Sequence, residues 1–280
     1  MAEPGANAPD GAAVGAPAGK GCDMTVSVNV DELRSRVREV YRQVAKEPEA
    51  EFHFEMGRPL AERLGYPPEH LDQVPQGAIA SFAGVGYHLH LADLVPGESV
   101  LDLGSGSGMD SFVAALLVGD TGRVVGVDMT EEQRQKAERL RSEHAFANVA
   151  FVEGYAEALP VRAGSVDVVI SNGVINLAAD KRRVFDEIAR VLRPGGRMAI
   201  SDIVTEQQLS DDIVCDSALW AACIGGAAQE DGYRSTIEAA GLRIEAFVEN
   251  PQYRFLSTSA QGATKAYGVK SVSLAAVRAR

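Results

Sequence analysis

The segment Val100-Leu101-Asp102-Leu103-Gly104-Ser105-Gly106-Ser107-Gly108 constrains this chain more than any other. A short apolar run ends in three closely spaced glycines, so a strand must stop and the backbone must turn tightly into a helix. Glycines at 104, 106 and 108 permit positive φ and let a ligand lie against bare backbone. The helix start beyond them offers N–H groups with no intrahelical partner. A dinucleotide loop would read GxGxxG. Here the third glycine comes one residue early and Met109 takes its place, a spacing that favours a nucleoside ligand without a pyrophosphate. Asp128 closes the next apolar run, 20 residues after Gly108, where a carboxylate can accept both hydroxyls of a ribose.

The pattern after Ser99 alternates between strand-like and helix-like. "SVLDLG", "GRVVGVDM", "VAFVEG", "SVDVVIS" and "RMAISDIV" are five strand candidates. Between them, Thr130 and Gln133 fit a capping box, each side chain serving a free N–H at a helix start. Val184, Phe185, Ile188, Val191 and Leu192 mark one face of another helix, which "RPGG" breaks. This alternation predicts an α/β fold, a mostly parallel twisted sheet with helices on both faces. "LRIEAFV" and "SVSLAAV" are two further strands expected to pair antiparallel, and no helix of good period fits the loop between them. Upstream, Ala, Gly and Pro dominate residues 1–25, read as a disordered tail. Residues 26–95 are too short for a core of their own and are expected to pack as a helical lid segment over the main domain, 96–280. In that segment Leu33, Val37, Val40, Tyr41 and Val44 share a helical face.

The formal net charge of −12 makes nucleic acid a poor partner, because an acidic surface repels phosphate backbones. No apolar run approaches a bilayer span, and the start of the sequence lacks a secretory signal. The three cysteines, Cys22, Cys215 and Cys223, form no CxxC pair and suit a reducing cytoplasm. The sequence thus predicts a cytoplasmic protein that meets a small molecule rather than a membrane, and it leaves the oligomeric state open.

Taken together, "VLDLGSGSGMDSF", "VVGVDMT", "VEGYAEALPV", "VDVVISNGVINL", "DKRRVFDEIARVLRPGG" and "LWAACIGGA" resemble the class I methyltransferases that use S-adenosylmethionine (SAM), and within them the arsenite methyltransferase-like group. The resemblance spans roughly residues 75 to 245 and implies a Rossmann-like fold with SAM as cofactor. It implies that Gly104, Ser105, Gly106 and Gly108 cradle the methionine part of SAM, with Asp102 behind the amino group. Asp128 would take the ribose, Met129 would lie against adenine, and Tyr155, Ala156 and Glu157 would border the adenine edge. Asn172 and Val174 would face the methionine portion.

Arsenite methyltransferases hold trivalent arsenic with cysteine thiolates, and the resemblance places three positions for them. Here Tyr87 stands at the first, Gly173 at the second, and only Cys223 remains at the third. Soft thiolates are what select a soft centre, so one thiolate, even with Cys215 eight residues earlier, is a weak claw. The aromatic residues Phe52, Phe54, Phe82 and Tyr87 are candidates for a pocket roof, with His88, Trp220 and Cys223 also near the acceptor. His53, Tyr87 and Asn172 are the candidate catalytic residues. No metal is expected: His88 and His90 lack a carboxylate or thiol at a familiar spacing. "DKRR" at 180–183 is read as a solvated helix start. The residues leave three chemistries open: methylation of a small acceptor at N, O or S; arsenic methylation through Cys223; and attack of SAM on itself, releasing methylthioadenosine and a small-ring amino acid. A SAM-binding protein without activity is the fourth and weakest reading.

Overall fold

The computed structural model describes Met1 and residues 30–210, 213, 220 and 224–280. The expected tail at 1–25 lies outside the described residues apart from Met1, and so do Cys22, Cys215 and Cys223.

The strands are β1 (Ser99–Leu103), β2 (Arg123–Asp128), β3 (Val149–Glu153), β4 (Val166–Asn172), β5 (Leu192–Thr205), β6 (Ala228–Gln229), β7 (Leu242–Glu249) and β8 (Lys270–Arg278). They form one sheet in the order β3-β2-β1-β4-β5-β8-β7, with β6 beside β5. β8 runs antiparallel to both β5 and β7, and the other pairings are parallel. The central strands are covered on both faces, which is why β1 and β4 are almost continuous runs of Val, Leu and Ile. From β1 the chain winds outward to β2 and β3, then returns to β4 on the other side. That reversal opens a crevice at the C-terminal ends of β1 and β4.

The helices are α1 (Val30–Lys46), α2 (Gly57–Leu64), α3 (Pro68–Leu71), α4 (Gln76–Ala80), α5 (Leu89–Ala92), α6 (Met109–Val118), α7 (Glu131–Glu143), α8 (Lys181–Val191), α9 (Glu230–Ala239) and α10 (Thr258–Tyr267). Residues of α2 to α5 share one apolar core with α6 and β1: Leu60, Leu64, Ile79 and Leu89 pack with Val100, Phe112 and Val113. On the opposite face Val184, Phe185 and Ile188 of α8 pack with Tyr233 and Ile237 of α9 against Val169 and Ile200. α1 docks on α7, burying Leu33, Val37 and Val44.

Three sequence expectations change. The loop between β7 and β8 contains α10, set by its ends rather than by a large apolar face. Ser257 accepts from the Ala260 N–H, Gly268 ends the helix in the left-handed region, and small Ala260 and Ala263 are what it buries. The Thr130–Gln133 capping box does not form, because no side chain caps α7 and Gln133 serves partners far away in sequence. Lys181 is not solvated: burial lowers its ammonium to about 8, and its Nζ donates to the Ala178 carbonyl, 2.9 Å away.

Candidate cofactor and acceptor cavity

The crevice beyond β1, β2 and β4 is an elongated cavity with about 1190 Å³ of empty space. Its floor is the turn after β1. Gly104, Gly106 and Gly108 all have positive φ, so the three glycines are conformational requirements here. At Gly104 the demand is also steric, because a Cβ there would lie 2.3 Å from Cγ2 of Val174. Asp102, Gly104, Ser105 and Gly106 line the floor, and Gly108 sits just behind it as the residue that starts α6. Met129, Tyr155, Ala156 and Glu157 line one end, while Asn172 and Val174 line the other side at the end of β4.

Four carboxylates line this space: Glu157, which pairs with Arg34, and three others, Asp102, Asp110 and Asp128. Asp128 accepts from the Gly106 N–H (2.9 Å) through Oδ2 and from the Thr130 N–H (2.7 Å) through Oδ1. A carboxylate has about four acceptor sites, so it can still take two hydroxyls. Burial raises the Asp128 carboxyl, and those two N–H groups oppose the rise. Asp102 accepts from the Ser111 hydroxyl at 2.6 Å. Burial pushes its carboxyl up to about 8, and the nearby Asp110 charge adds to the rise. Asp110 accepts from the Tyr66 hydroxyl at 2.5 Å and from the Asn172 amide at 3.1 Å. Among the described residues, none of the three carboxylates is in an ion pair.

The roof comes from α1 and the loop after α4. Leu33, Val37, Phe82, Ala83 and Leu177 give it an apolar lining. α1 is pinned where the cavity needs it. Arg34 pairs with Glu157 (3.3 Å) and lies over the Tyr155 ring (5.0 Å), while Arg38 donates to the Tyr155 hydroxyl (3.0 Å). Gln133 accepts from the Ser107 hydroxyl and donates to the Tyr41 carbonyl, tying floor to roof. The loop at 83–86 hangs on Asn172, whose Oδ1 accepts from the Val85 N–H (2.8 Å) and whose Nδ2 donates to the Gly86 carbonyl (3.0 Å).

Of the expected aromatic roof, only Phe82 lines the cavity. Phe52 stacks on Phe54, which stacks on Tyr41 of α1, and His53 meets Phe54 edge-on, and none of the three lines the cavity. Tyr87 turns away to Tyr66 and His90. His88 is fully buried, its imidazolium disfavoured by that burial, and it is not part of the cavity wall. Trp220 packs behind Leu33 and Val37 with the Lys181 ammonium 5.1 Å from its ring. Asn172 reaches the cavity, but its amide is spent on the roof loop, Tyr66 and Asp110. Sequence reasoning missed Asp110, Tyr66, Gln133 and Arg34. Asp110 alone carried a local signal, an acid in the first turn of the helix that follows a glycine loop.

Residues 94–241 match the family model described as a methyltransferase domain, more than half of the chain. The chain belongs to the class I SAM-dependent methyltransferases. Within them it is arsenite methyltransferase-like. It is 43% identical over 198 residues to the arsenite methyltransferase of Halobacterium salinarum, covering 70% of this chain and 50% of that protein. It is 34% identical over 216 residues to the arsenite methyltransferase of Mus musculus, covering 73% and 56%. The chain thus spans about half the length of the curated relatives it matches. The solved arsenic(III) S-adenosylmethionine methyltransferase of Chlamydomonas reinhardtii superposes with a TM-score of 0.59 at 28% identity, covering 81% of this chain and 75% of that one. A geranyl diphosphate methyltransferase solved with sinefungin shares the fold, with a TM-score of 0.64 at 18% identity.

The methyltransferase cofactor is SAM, and the cavity fits it. A cavity whose floor holds Asp102, Asp110 and Asp128 outside any ion pair among the described residues calls for a ligand with positive charge and hydroxyls. SAM carries an ammonium, a sulfonium and a ribose diol. Among the described residues no cluster of His, Cys, Asp and Glu could hold a metal, and no helix is long and apolar enough to cross a membrane.

Proposed function

We propose that this methyltransferase alkylates a small, uncharged acceptor in the roofed part of its cavity. One observation carries the reading: the cofactor floor is polar and acidic, whereas the space above it is lined by Leu33, Val37, Phe82, Ala83 and Leu177. SAM supplies an electrophilic methyl group, and its displacement depends on alignment and exclusion of water more than on a strong base. The chain's own groups are suited to that work. Asp128 would orient the ribose, the Gly104–Gly106 backbone would seat the methionine portion, and α1 would close the cleft as a lid. His53 and Tyr87 lie off the cavity and have no part in it. Asn172 acts by holding the 83–86 loop rather than by touching the reacting atoms.

A second reading, methylation of trivalent arsenic, is favoured by the relatives. Two features weigh against a three-thiolate site. Tyr87 faces Tyr66 rather than the cavity. Gly173, which offers no thiol, has φ +71°, a conformation that favours glycine. Cys223, the remaining thiol, lies outside the described residues.

The test is mass spectrometry of the protein with SAM, scoring S-adenosylhomocysteine and methylthioadenosine. One arm contains a pool of small organic metabolites and another contains arsenite with glutathione. Adenosylhomocysteine that rises with the organic pool is the expected result. A rise only with arsenite, together with methylated arsenic, would replace the organic acceptor by arsenic. Methylthioadenosine above the enzyme-free background, without any acceptor, would replace methyl transfer by self-cyclisation.

A further inference from the structure

Asp110 is only 7% exposed and, among the described residues, in no ion pair, and no part of the cofactor has yet been matched to it. Burying such a carboxylate without a cation costs several kcal/mol, and two features of the fold bear that cost. It sits in the first turn of α6, where the helix dipole favours a negative charge. Its two oxygens are also held by separate donors, Tyr66 on one side and Asn172 on the other. Both donors are buried or half-buried, and the Tyr66 phenol is raised well above its ordinary value by burial and by the Asp110 charge. Tyr66 therefore keeps its proton and keeps donating. The carboxylate is held from both sides and open to the cavity.

Its position separates it from Asp102. Asp102 lies within β1, bound by Ser111 of α6. Asp110 shares Asn172 with Val85 and Gly86, so it lies where the floor meets the roof loop. A methyl group can pass to an acceptor under the roof only if its sulfur lies at that same junction. We infer that Asp110 is the counter-charge for the sulfonium of SAM, held in place by Tyr66 and Asn172. The inference rests on the SAM-binding reading of the cavity. It divides two buried carboxylates between the two cationic centres of one ligand, leaving Asp102 to the ammonium.

The experiment compares ligands that differ in charge at one atom. Binding of SAM, sinefungin and S-adenosylhomocysteine is measured by titration calorimetry on the wild type, Asp110→Asn and Tyr66→Phe. SAM and sinefungin carry a positive charge at or beside the methyl-donor position, and adenosylhomocysteine has a neutral thioether there. Asp110→Asn is expected to weaken SAM and sinefungin by roughly tenfold or more, the scale of one close charge pair in a partly screened site. It should change adenosylhomocysteine by less than about threefold. Tyr66→Phe keeps the charge and should preserve the wild-type ratio between the ligands even where it weakens all three. Equal loss of all three ligands in Asp110→Asn, with Tyr66→Phe behaving alike, would make Asp110 a packing residue and overturn the inference. Failure of the wild type to bind any of them would instead remove the cofactor reading beneath it.

Discussion

The floor and the roof of the cavity are built by different physics. Every floor group sits at or just past the C-terminal end of a parallel strand, Asp102 and Gly104 at β1, Asp128 at β2, Asn172 and Val174 at β4. Their positions follow from local backbone rules: a strand, a glycine turn, a helix start. The roof is held by side chains reaching across the sequence. Arg38 and Tyr155 are 117 residues apart, Lys136 and the Ala45 carbonyl 91, Val85 and Asn172 87. A floor of that kind tolerates little change, whereas a roof of clamps can be relined for a new acceptor without disturbing the cofactor.

The sharpest break in the comparison is Gly104→Ala. Its φ of +74° disfavours any side chain, and a Cβ would overlap Val174. Strain of this kind costs about 1–3 kcal/mol before the clash is counted. The expected outcome is loss of measurable SAM binding by calorimetry, with the far-ultraviolet circular dichroism of the fold retained. The double variant with Val174→Ala should recover only part, because it relieves the clash and not the dihedral. Near-normal binding in Gly104→Ala would mean that the floor is as adaptable as the roof.

This difference also decides what the sequence could tell. The glycine turn, Asp128 and the alternation of strands and helices were legible because each is a local signal, whereas the place of Asp102 came only from the resemblance. The roof was not legible. Phe52 and Phe54 lie in an aromatic stretch that reads as a pocket wall, yet neither lines the cavity: Phe52 stacks on Phe54, and Phe54 on Tyr41 of α1. The direction of the 83–86 loop is set by Ser201 and Asn250, which fill the space where Gly86 would carry a Cβ, and no local pattern announces them. Gln133 was read as a cap because three-residue spacing says so, but Ser107 and Tyr41 outbid the helix end. α10 escaped notice because caps and alanines define it, leaving no amphipathic stripe.

The acidic floor should leave a signature in the ligand-free protein. Burial raises Asp102 to about 8 and Asp202 to about 6, against an ordinary aspartate near 3.9 when unfolded. Between those values the folded state binds more protons than the unfolded one, so stability falls as pH rises. The fall from Asp202 is complete near pH 6, and that from Asp102 continues toward pH 8. Lys181, lowered to about 8, acts in the opposite sense only above that pH. His88, lowered by burial, adds stability as pH rises toward 6.5, so denaturant melts without SAM are expected to show declining stability from pH 6.5 to 7.5, which Asp102→Asn should flatten. A wild-type stability that rises over this range would show that the buried carboxylates find cations within the protein, and the floor would lose its claim on a cationic ligand.

The smallest effect belongs to the clamp of α1. The Arg34 side chain is 35% exposed and pairs with Glu157 at 3.3 Å, so the pair is worth at most about 1 kcal/mol. Arg34→Ala leaves the Arg38–Tyr155, Gln133–Tyr41 and Lys136–Ala45 hydrogen bonds intact, and α1 should stay docked. SAM affinity is then expected to drop by no more than roughly fivefold. Stopped-flow measurement should place that drop in faster release, because the clamp acts only once the lid is closed. A loss as large as that from Asp110→Asn would move α1 into the same class as the glycine turn, making it a fixed part of the floor instead of a cover that opens and closes over it.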